Sequence, residues 1–175
     1  MGNSNIILNL NEFTTSDKNI SSSFGVVFKK LSFSIIKNSI TTLFAPLGSG
    51  KSTLLKTIIT QKDDNIKFFG NKMFYIHRHS IALEGLCVED NIKLYVPNAN
   101  NESIRNSLKI VGLEGYEKHV PIEKSKGFIL RIALAIGLLL KADFFLLDDV
   151  FYDMKYNTKI DIFNLLFDLK KNQNF

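Results

Sequence analysis

The chain has 175 residues, 45% of them hydrophobic and 22% charged, which suits one folded domain with a real core and excludes a disordered or collagen-like polymer. Its single cysteine, Cys87, rules out an internal disulfide and a cysteine-based zinc site, and agrees with a reducing compartment. The net charge of +5 is mostly lysine without a continuous basic run, and reads as solvated surface rather than as a nucleic-acid interface.

In chain order, Ile6–Leu10 and Val26–Ile36 are strand-like, and Phe13–Phe24, rich in Ser and Thr, separates them as a flexible stretch. Within the second, Leu31, Phe33 and Ile35 alternate with Ser32, Ser34 and Ile36, the period of a half-buried strand. Three short apolar runs, Ile40–Ala45, Met73–His77 and Asp143–Leu147, have the character of buried parallel strands. Helices are expected at Ser52–Thr60, Glu102–Val111 (stopped by Gly112), Gly127–Leu140 and Asn157–Lys171. The last has Asn157 or Thr158 as N-cap and Ile160, Phe163, Leu166 and Phe167 on one face. Strands alternating with helices predict an α/β fold with a mostly parallel sheet and a β-rich N-terminal edge.

No targeting segment is evident. Met1-Gly2-Asn3-Ser4-Asn5-Ile6 lacks the charged and apolar regions of a secretory signal, and Ile6 stands where myristoylation requires Ser or Thr. The longest uninterrupted apolar run, nine residues from Ile132 to Leu140, is well short of the ~20 needed to span a bilayer. The expectation is a cytoplasmic chain without direct membrane insertion, peripheral to a membrane only through a partner.

Two motifs carry chemistry. Ala45-Pro46-Leu47-Gly48-Ser49-Gly50-Lys51-Ser52-Thr53 lies between an expected strand and an expected helix, the context of a phosphate-binding loop. Gly48 and Gly50 let backbone N–H groups curl around an anion, and the helix start adds its free N–H groups and dipole. Lys51 can reach the β- and γ-phosphates of a nucleotide, and the Ser52 hydroxyl can ligate Mg²⁺. The second motif, Phe144-Phe145-Leu146-Leu147-Asp148-Asp149, ends an apolar strand in acids at the carboxyl edge of the sheet, where open α/β folds bind ligands. There Asp148 would support the metal and Asp149 would polarise the attacking water.

With these motifs the chain resembles the ATP-binding-cassette (ABC) ATPase domain over roughly 26–167. Phe28–Ile35 is similar to the segment before the phosphate loop, and Phe74–Arg78 with Gly85–Ile92 to the Q-loop and the start of the helical subdomain. Lys124-Ser125-Lys126-Gly127-Phe128 falls where the signature motif belongs, followed by an RVALA-like helix at Arg131–Ala135. The resemblance implies a P-loop NTPase divided into a β-rich edge (about 1–36), a core (37–78 and 141–175) and a helical subdomain (79–140). It implies MgATP held by Pro46, Leu47, Gly48, Ser49, Gly50, Lys51, Ser52 and Thr53, with Ser52 and Asp148 toward the metal and Asp149 as the catalytic acid. Ser125 and Gly127 would face the ATP of a second ABC-type domain in a homo- or heterodimer. Phe24, with Phe13 second, would stack on adenine.

Four departures from the family pattern stand out. Lys126 replaces the first signature glycine, where it pairs with phosphate or blocks close approach. Arg78 stands at the Q-loop glutamine position and offers only donors and charge. Asp149 replaces a glutamate and is one methylene shorter. The sequence stops at Phe175, before the expected switch histidine; His77, His79 and His119 all precede Asp148 and read as surface or loop histidines. A further irregularity is Tyr152-Asp153-Met154-Lys155 in place of a SALD-like D-loop. The implied function is the ATP-binding subunit of an ABC-type transporter, coupling slow ATP hydrolysis to a membrane permease. The alternatives are a catalytically impaired regulatory partner completing a heterodimeric ATPase, and a truncated product without turnover.

Overall fold

The computed structural model describes residues 5–14, 28–61, 63–78, 85–121 and 125–173. Its strands are β1 (Ile6–Phe13), β2 (Leu31–Ile36), β3 (Ile66–Phe68), β4 (Met73–His77) and β5 (Phe144–Asp148). Its helices are α1 (Lys51–Thr60), α2 (Val88–Tyr95), α3 (Asn101–Ile110), α4 (Lys126–Leu139) and α5 (Tyr156–Gln173).

β1 is the centre of an antiparallel sheet in the order β2-β1-β3, the β-rich edge expected near the N-terminus. β4 and β5 form a parallel pair, with Tyr75 opposite Leu146 and His77 opposite Asp148. Successive side chains of a strand point to opposite faces, and here both faces are covered. Phe74, Ile76, Phe145 and Leu147 pack toward the core shared by α2, α3, α4 and α5. Met73, Tyr75, Phe144 and Leu146 pack toward the core of β1, β3 and α1. Burial on both faces is why these strands read as continuous apolar runs rather than as alternating ones.

Helix boundaries follow local chemistry. Asn100 caps α3 by accepting a hydrogen bond from the Ser103 amide at 2.8 Å. Ser125 caps α4 by accepting from the Phe128 amide at 3.3 Å. α4 is largely apolar because it is central: Ile132, Ala133, Leu134, Ala135 and Ile136 are all buried. Arg131, early in α4, donates to the Val111 carbonyl at the end of α3 at 2.5 Å, joining the two helices.

Several expectations are corrected. Ile40–Ala45 is not a strand: residues 40–44 make no backbone hydrogen bond among the described residues, and Phe44 is 95% exposed. A strand requires a ladder partner to satisfy its backbone, and none of the three β-pairs among the described residues includes this segment. The buried face of α5 is Ile162, Leu165 and Leu169, whereas Ile160, Phe163 and Phe167 are exposed. The periodicity of α5 supports both stripes, and packing selects the one that meets α4. Because α5 begins at Tyr156, Asn157 and Thr158 lie in its first turn and do not cap it. β3, only three residues long, and α2 have no counterpart among the expected strands and helices.

Candidate functional site

The loop 45–50 turns on two glycines with positive φ, Gly48 at 77° and Gly50 at 87°, a region that other residues enter at a cost. Gly50 is also the N-cap of α1 and brings no side-chain cap. The first-turn amides of α1 therefore stay available to an anion, with the positive end of the helix dipole behind them. The Lys51 ammonium folds back over the loop and donates to the carbonyls of Ala45 and Pro46, each at 2.8 Å. The Ser49 hydroxyl oxygen is buried and has no hydrogen-bond partner among the described residues. Buried polar groups are nearly always paired, so an orphan hydroxyl inside a glycine-built loop marks a place where a polar ligand belongs. Pro46 and Gly48 are exposed and Leu47 fully so, leaving the mouth of the loop open.

Across from this loop lies the end of β5. Asp148 is 3% exposed, yet both its oxygens are engaged. Oδ1 accepts from the Ser52 hydroxyl at 2.9 Å and Oδ2 from the Tyr75 hydroxyl at 2.5 Å. Burial, and then the Asp148 carboxylate, push the Tyr75 hydroxyl well above its ordinary pKa, so it remains a donor. Ser52 and Asp148 form a compact set of hard oxygen donors beside the phosphate loop. Such a set fits Mg²⁺, which takes oxygen ligands and keeps several waters. Thr53 lies in the first turn, its carbonyl accepting from the Thr57 hydroxyl at 2.9 Å.

A second group begins at the next residue. Asp149 sits at φ 57°, a left-handed conformation that Asp tolerates better than most residues. Its carboxylate pairs with the Arg78 guanidinium at 3.3 Å. That guanidinium also lies over the Tyr152 ring, 4.8 Å from its centroid. The Lys126 ammonium lies 5.4 Å from the centroid of the same ring and pairs with Asp153 at 3.3 Å. Arg78, Asp149, Lys126, Tyr152 and Asp153 thus form one charged cluster at the carboxyl edge of β4–β5. A shallow cavity of about 80 Å³ opens beside it, with His77, Arg78 and Lys126 in its lining.

Most site residues read from the sequence are therefore brought together in two adjoining groups, the phosphate loop with Asp148 and the cluster around Asp149. Ser125 is exposed, with its side chain used as the α4 cap. Gly127 is buried, and a Cβ there would stand 2.4 Å from Thr158 Cγ2, so only glycine lets the start of α4 pack this closely on α5. The adenine-stacking candidate Phe24 and the histidine His79 lie outside the described residues, while Phe13 is 1% exposed in the β1 core. His119 is a loop histidine in edge-on contact with Tyr116. Sequence reasoning missed Tyr75. Its signal was strand alternation: once His77 is opposite Asp148, the residue two positions earlier lies on the same face.

Among the described residues, no helix is long and apolar enough to cross a membrane. The fold is that of solved ABC structures. cbiO1 from Clostridium perfringens, part of the ABC transporter complex cbiONQ, superposes with a TM-score of 0.82 at 18% identity, covering 95% of this chain and 74% of that one. The ADP conformation of MJ1267, an ATP-binding cassette of an ABC transporter, gives 0.79 at 20% identity, covering 97% and 78%. In sequence, the chain is 30% identical over 145 residues to the sulfate/thiosulfate import ATP-binding protein CysA of Mycobacterium tuberculosis, covering 72% of this chain and 41% of CysA. It is also 30% identical over 138 residues to the aliphatic sulfonates import ATP-binding protein SsuB of Bacillus anthracis, covering 71% of this chain and 55% of SsuB. The chain thus spans about half the length of these curated relatives. The ABC transporter family model matches residues 28–152, well over half of the sequence, and takes in both the glycine loop and the acidic end of β5; the chain belongs to the ABC transporter family.

Proposed function

We propose that this chain binds MgATP as the ATP-binding subunit of an ABC-type transporter, working with a second ABC-type domain and a membrane permease. The observation that carries this reading is a loop and helix start that hold the Ser49 hydroxyl, unpaired among the described residues, the Lys51 ammonium and the Ser52 hydroxyl, the last bonded to Asp148 at the end of β5. The first-turn amides of α1 and Ser49 would bind the β-phosphate. Lys51 would exchange its two loop carbonyls for phosphate oxygens. Ser52 and Asp148 would hold Mg²⁺, which supplies charge neutralisation on the β- and γ-phosphate oxygens. The matched relatives are import ATP-binding proteins, and this supports an importer subunit whose membrane partner selects the solute. In the same reading the chain divides into the β-rich edge, the P-loop core and the helical subdomain 79–140, and works at the cytoplasmic face of a membrane.

Hydrolysis in the isolated chain is slow in this proposal. The Arg78–Asp149 ion pair leaves the acid partly neutralised, and Asp149 is one methylene shorter than glutamate. A displacement on the order of 1 Å can cost ~10²-fold in rate. The same ion pair favours a second reading, a regulatory partner that binds ATP and completes the site of a more active ABC domain. Ser125 and the start of α4 would then meet the partner's nucleotide.

Equilibrium ATP binding, with and without Mg²⁺, tests the main reading. Lys51→Ala is expected to lose most of the triphosphate affinity. Unchanged affinity would mean that the nucleotide sits elsewhere. Mixing the chain with an intact ABC domain separates the two readings: turnover gained only in the mixture selects the regulatory one.

A further inference from the structure

Asp148 is the most buried acid of the site, and a buried carboxylate is stable only when its oxygens are hydrogen-bonded. Ser52 satisfies one oxygen and Tyr75 the other. Tyr75 reaches it by strand geometry. The parallel register sets Tyr75 opposite Leu146 and His77 opposite Asp148, so Tyr75 and Asp148 are diagonal neighbours on the face that packs toward α1. The Tyr75 ring is itself held, stacked on His77 with centroids 6.4 Å apart and planes 21° from parallel.

The terminal torsion of an aspartate is broad and roughly two-fold, so its carboxylate plane is set by whatever its oxygens bind. With Oδ2 fixed by Tyr75, Oδ1 is left to take the proton of the Ser52 hydroxyl. That commits the single donor of Ser52 inward, leaving its oxygen lone pairs for a cation. We infer that Tyr75 is a positioning residue for the metal: its hydroxyl orients the Asp148 carboxylate, and through it the Ser52 hydroxyl, so that both present oxygen lone pairs to Mg²⁺. This rests on the MgATP reading above. Residues that orient metal ligands commonly account for ~10–100-fold in metal affinity.

The test is calorimetric titration of the whole chain with ATP, once in EDTA and once in Mg²⁺, for wild type, Tyr75→Phe, Ser52→Ala and the double variant. Mn²⁺ binding to the ATP-bound forms, followed by water-proton relaxation, gives a second readout. Tyr75→Phe keeps the ring and its stacking, so its metal-free ATP affinity is expected to stay within about twofold of wild type. Its Mg²⁺-dependent gain should fall about tenfold, with Mn²⁺ binding weakened in parallel. In the Ser52→Ala background the same change should weaken Mg²⁺ binding by a smaller factor than in wild type, because only Asp148 then remains to be oriented. An undiminished Mg²⁺ gain in Tyr75→Phe overturns the inference, and so does an equal loss in both media, which would mark a packing role. A wild-type chain that binds no ATP removes the MgATP reading and this inference together. Wild-type binding with an unaffected variant removes the inference alone.

Discussion

Arg78 and Asp149 form an ion pair, 3.3 Å from Nη1 to Oδ2, across the carboxyl ends of the adjacent parallel strands β4 and β5. The Arg78 amide also donates to the Asp148 carbonyl at 3.2 Å, extending the strand pairing to the base of the cluster. Position 78 is thus tied to the acid that would polarise water. Replacing Arg78 with Gln removes the charge while retaining a polar side chain. Phosphate release by the isolated chain is expected to rise several-fold in Arg78→Gln. The pair is partly exposed, so unfolding stability should change by no more than about 1 kcal/mol. A rate at or below wild type would show that Asp149 is not restrained by this contact.

Gly127 concerns packing rather than charge. A methyl at this position would meet Thr158 Cγ2 at 2.4 Å, a contact that forces α4 and α5 apart. Gly127→Ala is expected to cost ~1–3 kcal/mol in urea unfolding. The second-site change Thr158→Ser removes the offending methyl and should recover much of that loss. Independent, additive effects of the two substitutions would contradict the contact.

The thiol of Cys87 has a raised pKa, first because of burial and then because it donates to Asp90 at 2.9 Å. A raised pKa leaves less thiolate at any given pH, and the thiolate is the reactive form. Iodoacetamide should modify Cys87 more slowly than it modifies glutathione at pH 8, with the rate climbing as pH rises. Asp90→Asn removes the charge that opposes ionisation and should speed the reaction. Mass spectrometry of the modified chain follows both rates.

Much of this architecture was readable from residue order. Met73–His77 coincides with β4, and the glycine loop and the acidic end of β5 are legible as partners from their residue types, although the strand expected before the loop is absent. What stayed illegible depended on three-dimensional neighbours. α5 carries two apolar stripes, and nothing in its own sequence says which of them faces α4. Tyr75 looks like one more aromatic in a buried strand until the register of β4 against β5 is known. Arg78 and Lys126 could be identified as departures from a pattern, but their partners Asp149 and Asp153 follow from how the 149–153 turn folds back over the cluster.

The bare segment at 40–44 has a consequence for how the protein behaves in a tube. Ile40-Thr41-Thr42-Leu43-Phe44 is β-branched and aromatic, and no charged residue interrupts the sequence between Lys37 and Lys51. Residues 40–44 make no backbone hydrogen bond among the described residues, and amides and carbonyls left so can template another chain and seed fibrils. Concentrated samples should therefore scatter light increasingly with time, and Phe44→Lys, which inserts a gatekeeper charge at a solvent-facing position, should slow that growth. The stretch runs directly into the loop that holds Lys51, so polymerisation at one would deform the other, and nucleotide affinity measured on aged material should decline in step with turbidity.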